Sequence, residues 1–143
     1  MNLTIRTDCA GIEGKEIQQF LENVGMATCT PDTHIRAFEK SYAVIFIYEG
    51  DKLMGFGRAI SDGEYQAALY DIAVHPDSQG KGMWKIIIQE LLKKLPNCNV
   101  ILYATPGMEG FYEKLGFGLM TTGMAIFTTD SAMKKFTTSN YQN

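Results

Sequence analysis

Between Asp71 and Lys85 the sequence reads DIAVHPDSQGKGMWK, a strand-like run that passes through a glycine-containing loop into a helix. A loop of this kind gathers backbone N–H groups at the start of the helix, where the dipole adds roughly half a positive charge. Gly80 and Gly82 place no Cβ between those amides and an anion, and Lys81 and Lys85 can add side-chain charge. The chemistry suggested is phosphate binding; the plain alternative is an ordinary strand-to-helix turn. Other phosphate loops fit worse. GxxxxGK[ST] is absent because Gly80-Lys81 is followed by Gly82, and GxGxxG is absent because Lys85 stands where the third glycine would be. An ATPase and a Rossmann dehydrogenase are therefore disfavoured.

The elements that would hold this loop follow from periodicity. Leu3 to Ile5 reads as a short strand. Gly14 to Val24 reads as a helix, with Ile17, Phe20, Leu21 and Val24 on one stripe and Gly25 as its C-cap. Thr30-Pro31-Asp32 predicts a second helix start, running to about Ser41 with Ile35 and Phe38 inward. Ala43 to Tyr48 is a buried strand; Leu53 to Ile60 is the next, whose Gly55 and Gly57 let another backbone come close. Asp62-Gly63 signals a two-residue hairpin turn and Tyr65 to Val74 the returning strand, so the order is an antiparallel meander. Gly82 to Leu95 carries Trp84, Ile87, Ile88, Leu91 and Leu95 on one face, with Lys85, Gln89 and Lys93 on another. Val100 to Ala104 is a strand, parallel to the one before the helix through a βαβ crossover. A loop at Thr105-Pro106-Gly107 leads to a short helix from Glu109 to Leu115, ended by Gly116. Phe117 to Phe127 predicts one or two terminal strands, and the tail from Thr128 is polar and partly mobile.

A chain of 143 residues at 45% apolar and 20% charged composition is one globular α+β domain by length and content. No apolar run reaches the ~18 residues needed to cross a bilayer, and the start MNLTIRTDCA lacks a basic region followed by an apolar one. Three cysteines, Cys9, Cys29 and Cys98, without CxxC spacing, argue against a disulfide framework or zinc ribbon and for a reducing cytoplasm. A net charge of −3 disfavours nucleic acid as the main partner. The eight methionines read as core and cleft filling rather than a metal site.

Three blocks of this sequence resemble the GNAT superfamily of acetyl-CoA-dependent N-acetyltransferases. Gln79-Gly80-Lys81-Gly82 is similar to its [RQ]-x-x-G-x-[GA] pyrophosphate loop, with Trp84 at the position usually Gly or Ala. Phe111-Tyr112-Glu113-Lys114-Leu115-Gly116-Phe117 is similar to the FYEKLGF segment near the family's C-terminus. Gly55 to Gly63 resembles a stretch of many small bacterial members. The resemblance implies a single domain over residues 1–143, with a mixed sheet, an antiparallel N-terminal meander, a βαβ crossover and splayed central strands, flanked by about four helices. It implies acetyl-CoA as cosubstrate, no metal, and a primary amine or peptide amine as acceptor. The pantetheine arm would lie along the backbone of Ile72, Ala73 and Val74. The pyrophosphate would sit on Gln79, Gly80, Lys81, Gly82, Met83, Trp84 and Lys85, with Thr105 and Phe111 also lining the coenzyme.

The resemblance makes Tyr112 the acid. A departing thiol of pKa ~8.5 leaves more easily if protonated, and a phenol of pKa ~10 keeps a proton to give. A buried core tyrosine is the alternative. A base is needed because a lysine-like amine of pKa ~10.4 is almost wholly charged at pH 7. The glutamate some members use is Ala68 here, which leaves Tyr70, Asp71, Glu64 and His75. Tyr70 shares the Ala68 face, and Asp71 lies on the opposite one, barring a bulge. With a two-residue turn at Asp62-Gly63, Arg58 faces Ala67 and is about 13 Å from Asp71, too far for contact. Asp71 then either anchors the substrate amine or bonds to nearby backbone. His75, before Pro76, reads as an exposed loop residue. A cysteine-based acyl-enzyme lacks a partner in sequence for any of the three thiols. Two alternatives remain: a regulatory module that binds CoA without turnover, suggested by Ala68 and Trp84, and a homodimer built through the C-terminal strands.

Overall fold

The structure, a computed structural model, describes residues 2–138. It begins with β1 (Leu3–Arg6), α1 (Gly14–Asn23) and α2 (Pro31–Glu39). Local chemistry starts α2: Thr30 Oγ1 accepts the Thr33 amide at 3.2 Å, and Pro31 and Asp32 occupy the first turn. α1 buries Ile17, Phe20 and Leu21, the expected stripe. His34, a buried residue that the periodicity does not single out, accepts the Cys29 amide on Nε2 at 2.8 Å and ties the α1–α2 loop to α2.

β2 (Ala43–Glu49), β3 (Lys52–Ser61) and β4 (Gln66–Val74) continue the sheet. A 3-10 turn at Pro76–Ser78 leads to α3 (Met83–Lys93) and β5 (Asn99–Ile101). The order is β1-β2-β3-β4-β5, antiparallel up to β4 and parallel between β4 and β5, as the βαβ reading requires. β5 is shorter than the expected Val100 to Ala104. It pairs only Asn99–Ile101 with Gln66–Ala68, so the two strands part beyond Ala68.

The hairpin between β3 and β4 departs from expectation. Asp62 Oδ1 accepts the amides of Glu64, Tyr65 and Gln66 at 2.8, 2.9 and 3.2 Å. This opens the two-residue turn into a wider loop, closed by Ser61 opposite Ala67. Arg58 therefore faces Tyr70, not Ala67.

One sheet face carries an aromatic core in which Phe20, Phe38, Phe46 and Phe56 have ring centroids 4.8–5.9 Å apart. The other takes α3. At Gly55 another backbone does come close, a Cβ there meeting the Ala73 carbonyl oxygen at 2.9 Å, whereas a Cβ on Gly57 would meet the side chains of Ile72 at 2.6 Å and Ile87 at 2.9 Å. α3 starts one residue later than expected, with Gly82 as its cap. Its buried stripe accordingly begins at Met83 and continues through Ile87, Ile88 and Leu91 to Leu95; Trp84, expected in that stripe, is only half-buried.

The chain divides into two compact units, up to Leu102 and from Tyr103. The second holds α4 (Glu109–Glu113) and α5 (Asp130–Phe136), which brings the helices to five among the described residues instead of about four. Phe117 to Phe127, expected as terminal strands, forms none: Leu119, Met124 and Ile126 stay 69%, 95% and 94% exposed, and no strand pairs with the segment among the described residues. Asp130–Phe136 of the polar tail forms α5, where Thr129 Oγ1 accepts the Ala132 amide at 3.1 Å. Phe136 packs on Tyr103 and Phe127 at 4.9 and 5.5 Å. Residues 139–143 of that tail lie outside the described residues. Among the described residues no helix is long and apolar enough to cross a membrane.

Candidate functional site

β4 ends in three buried residues, Ile72, Ala73 and Val74, and the His75 amide closes the ladder on the Met54 carbonyl at 2.7 Å. The chain then turns tightly. His75 Nδ1 accepts the Asp77 amide at 3.1 Å, and the hydroxyl of Ser78, 1% exposed, donates to the His75 carbonyl at 2.9 Å. His75 is thus half-buried and caps this turn, rather than lying free in an exposed loop as expected.

Gln79 is extended and exposed; Gly80 and Gly82 follow at φ +83° and +80°. A side chain at either would be strained, yet a Cβ built there meets no atom within 4 Å. The space above both backbones is open. Gly82 caps α3, whose first turn holds no acidic residue to compete for an anion. The intrahelical ladder begins with the Ile86 amide on the Gly82 carbonyl at 3.1 Å, so the amides ahead of it belong to the helix's donor-rich end. Lys81 and Lys85 are exposed beside it. The residues present fit a diphosphate: open donors, a positive dipole end and two cations.

Upstream, β4 carries a bulge. Arg58 pairs with Tyr70 and Phe56 with Ala73, so Asp71 and Ile72 together stand opposite Gly57. Asp71 takes φ +54°, alone among described non-glycine residues in that region. The bulge swings its carboxylate onto the Arg58 guanidinium, Oδ2 to Nε 2.7 Å, with the side chains 25% and 15% exposed. This overturns the expectation that Asp71 lies too far from Arg58 for contact. Two causes act together: the Asp62-centred loop, which the two-residue turn did not anticipate, shifts the register, and the bulge, named in the sequence reading only as the exception, turns Asp71 onto the Tyr70 face. The Arg58 guanidinium also lies 5.5 Å from the Tyr70 ring centroid and 5.6 Å from that of Phe38, and it donates to Ser41 Oγ at 3.4 Å.

In the second unit, α4 carries Phe111 and Tyr112. Tyr112 is buried, and desolvation pushes its phenol up to about 12. Its ring meets Phe117 edge-on at 5.7 Å, and Gly116, at φ +99°, turns the chain so that the Phe117 amide reaches the Tyr112 carbonyl at 3.1 Å. Phe111 is 52% exposed, and Thr105 is exposed. Sequence reasoning considered Arg58 as a partner of Asp71 and set it aside on distance. The signal was Asp62 itself, an aspartate able to hold several amides of a longer turn.

The sequence model of the acetyltransferase (GNAT) family matches residues 15–117. The chain is 33% identical over 109 residues to the uncharacterized N-acetyltransferase ycf52 of Pyropia yezoensis, covering 71% of this chain and 63% of that protein. It is 29% identical over 133 residues to serotonin N-acetyltransferase 2, chloroplastic, of Oryza sativa subsp. japonica, covering 86% and 66%. The chain thus spans just under two thirds of the length of these curated relatives. Among solved structures, a GNAT family acetyltransferase of Streptococcus pneumoniae TIGR4 superposes with a TM-score of 0.76 at 21% identity, over 90% of this chain and 100% of that one, a likeness of fold. A family model that covers well over half of the sequence, and a sheet that parts beside an open glycine loop, lead to one assignment: this chain belongs to the acetyltransferase (GNAT) family.

Proposed function

We propose that this chain moves an acetyl group from acetyl-CoA to a primary amine by direct attack of the amine. The observation that carries the reading is the pair of left-handed, open glycines, Gly80 and Gly82, at the donor-rich end of α3. Acetyl-CoA supplies the activated acetyl group. The backbone amides of Gly80 and of Gly82 to Lys85, with the Lys81 and Lys85 side chains, hold its pyrophosphate; the Gln79 and Lys81 amides are already bonded to the Pro76 and Ser78 carbonyls at 3.3 and 3.1 Å, so Gln79 contributes its side chain. Ile72, Ala73 and Val74 offer backbone along the strand end where β5 has parted from β4; a coenzyme contact for Thr105 and Phe111 rests on the family resemblance alone.

Tyr112 serves the leaving sulfur. With its phenol at about 12, full transfer of its proton to a thiolate of pKa ~8.5 runs uphill by roughly 3.5 units, about 5 kcal/mol. Its part is therefore to hold a hydrogen bond on the sulfur while the C–S bond breaks. The proton lost by the attacking nitrogen ends on the thiol, so the products are an amide and free CoA. Tyr70, its ring 5.5 Å from the Arg58 guanidinium, is the polar group offered to the amine; Asp71, held by Arg58, is withdrawn from that role.

The acceptor is a small amine. The relative named serotonin N-acetyltransferase 2 places arylalkylamines first in a test panel, and its chloroplastic name sets a plastid beside the cytoplasm as the working compartment. The test is thermal unfolding with acetyl-CoA, followed by thiol release across an amine panel. Acetyl-CoA at a hundred times its Kd contributes about 2.7 kcal/mol, a rise in Tm of about 5–10 °C. An unmoved Tm at saturation overturns the reading. A raised Tm with no thiol from any amine replaces it with a CoA-binding module, the reading that Ala68 in place of a carboxylate favours.

A further inference from the structure

Arg58 grips two consecutive residues of β4 with one side chain. Its guanidinium lies over the Tyr70 ring at 5.5 Å and binds the Asp71 carboxylate at 2.7 Å. In a flat strand, consecutive side chains point to opposite faces, and no single partner reaches both. Here the bulge brings them to one face, and it does so by holding Asp71 at φ +54°. That conformation costs a non-glycine residue of order 1 kcal/mol or more, and it persists only where surroundings over-determine it.

The surroundings are specific. The Phe38 ring on α2 packs on the guanidinium at 5.6 Å, and Ser41 Oγ, just past that helix, accepts from it at 3.4 Å. A planar guanidinium can stack between two rings and still donate in its own plane to a carboxylate; an ammonium cannot. The pair is mostly shielded, at 15% and 25% exposure, where ion pairs act more strongly than on an open surface. Immediately after Asp71 come Ile72, Ala73 and Val74, whose backbone direction is set by how the bulge turns the strand.

We propose that Arg58 is a positioning residue: by clamping Tyr70 and Asp71 together it fixes the β4 bulge, and so the direction in which Ile72 to Val74 present their backbone to the thioester. This rests on the acetyl-transfer reading above. Arg58 touches no reacting atom in this scheme. Its removal acts on orientation and leaves the glycine loop that grips the pyrophosphate in place.

The test uses R58M, R58K and the double variant R58M/D71G, with steady-state kinetics and amide hydrogen exchange at Ile72. R58M lowers kcat about 100-fold, as a misplacement of about 1 Å does, with KM for acetyl-CoA nearly constant. R58K keeps the charge, serves if R58M does not fold, and loses about tenfold. Glycine adopts positive φ freely, so R58M/D71G regains about tenfold in kcat over R58M. The Ile72 amide exchanges about tenfold faster in R58M, or in R58K in its place. The clamp is overturned if the Arg58 variant keeps kcat within a factor of about two, or if the double variant is no faster than R58M. Unaltered exchange at Ile72 overturns it as well. Should the wild-type chain release no thiol with any amine of the panel, acetyl transfer falls, while exchange at Ile72 still decides the clamp.

Discussion

Gly14 and Pro31 touch backbone to backbone: a β-carbon on Gly14 would stand 1.9 Å from the Pro31 carbonyl oxygen. The first residue of α1 is thereby packed against the first residue of α2, and no flexible side-chain tip is available to move aside. Gly14→Ala must separate the two helices, and the expected cost is about 3 kcal/mol or more. A urea titration checks it: the midpoint falls with an unchanged slope.

What was legible in the sequence was local. Thr30, Pro31 and Asp32 start a helix through contacts three residues apart, and the structure has them. The βαβ crossover follows from lengths and a handedness rule. What was not legible was pairing over distance. The register of Arg58 depends on how many amides the Asp62 carboxylate takes, and no glycine marks the bulge at Asp71. Leu119, Met124 and Ile126 read as strand residues because β-propensity describes fitness for a sheet and not the presence of a partner strand. The loop around Gly80 was legible as a shape; the roles of Tyr112 and Tyr70 rest on the resemblance.

Asp62 should report on that register through pH. Hydrogen bonds from the Glu64, Tyr65 and Gln66 amides hold its carboxyl below the usual range. A depressed carboxylate stabilises the fold above its unfolded pKa of ~3.9, and that contribution is lost as pH falls through the folded value. Asp62→Ala is therefore less stable than wild type at pH 7, and the gap closes below about pH 4. Chemical denaturation at the two pH values measures it; a gap independent of pH contradicts the loop assignment.

Gly80→Ala separates binding from folding. Its Cβ meets no atom within 4 Å, so no clash arises, and the penalty is confined to an alanine at φ +83°, about 1–2 kcal/mol. The same methyl stands where a diphosphate would rest. Acetyl-CoA affinity should fall at least about tenfold, a change of ~1.4 kcal/mol, by isothermal titration, with the far-UV spectrum of the folded chain retained.

Tyr112→Phe should lower kcat about 100-fold with little change in KM, the mark of a group acting on the departing sulfur. The phenol has a stability signature of its own. Its folded value of about 12 lies above the unfolded ~10, so the contribution is complete below pH 10 and is lost as pH rises through about 12. The wild-type chain loses about 2–3 kcal/mol across that window and the phenylalanine variant does not. Activity should show no alkaline limb from this phenol below about pH 11, because the hydrogen-bonding form persists there.

Gly57 has a reach that its burial conceals. Ile87 and Leu91 of α3 rest directly on it, Leu91 Cδ1 within 3.2 Å of where a methyl would go. Ile87 is four residues, about 6 Å of helix axis, below Met83. The bare centre of the sheet is thus where α3 is seated, and a side chain there must displace the tips of Ile72, Ile87 and Leu91. If the N-terminal tip of α3 holds the diphosphate as proposed, a substitution at Gly57 is expected to weaken acetyl-CoA binding from a position remote from the loop.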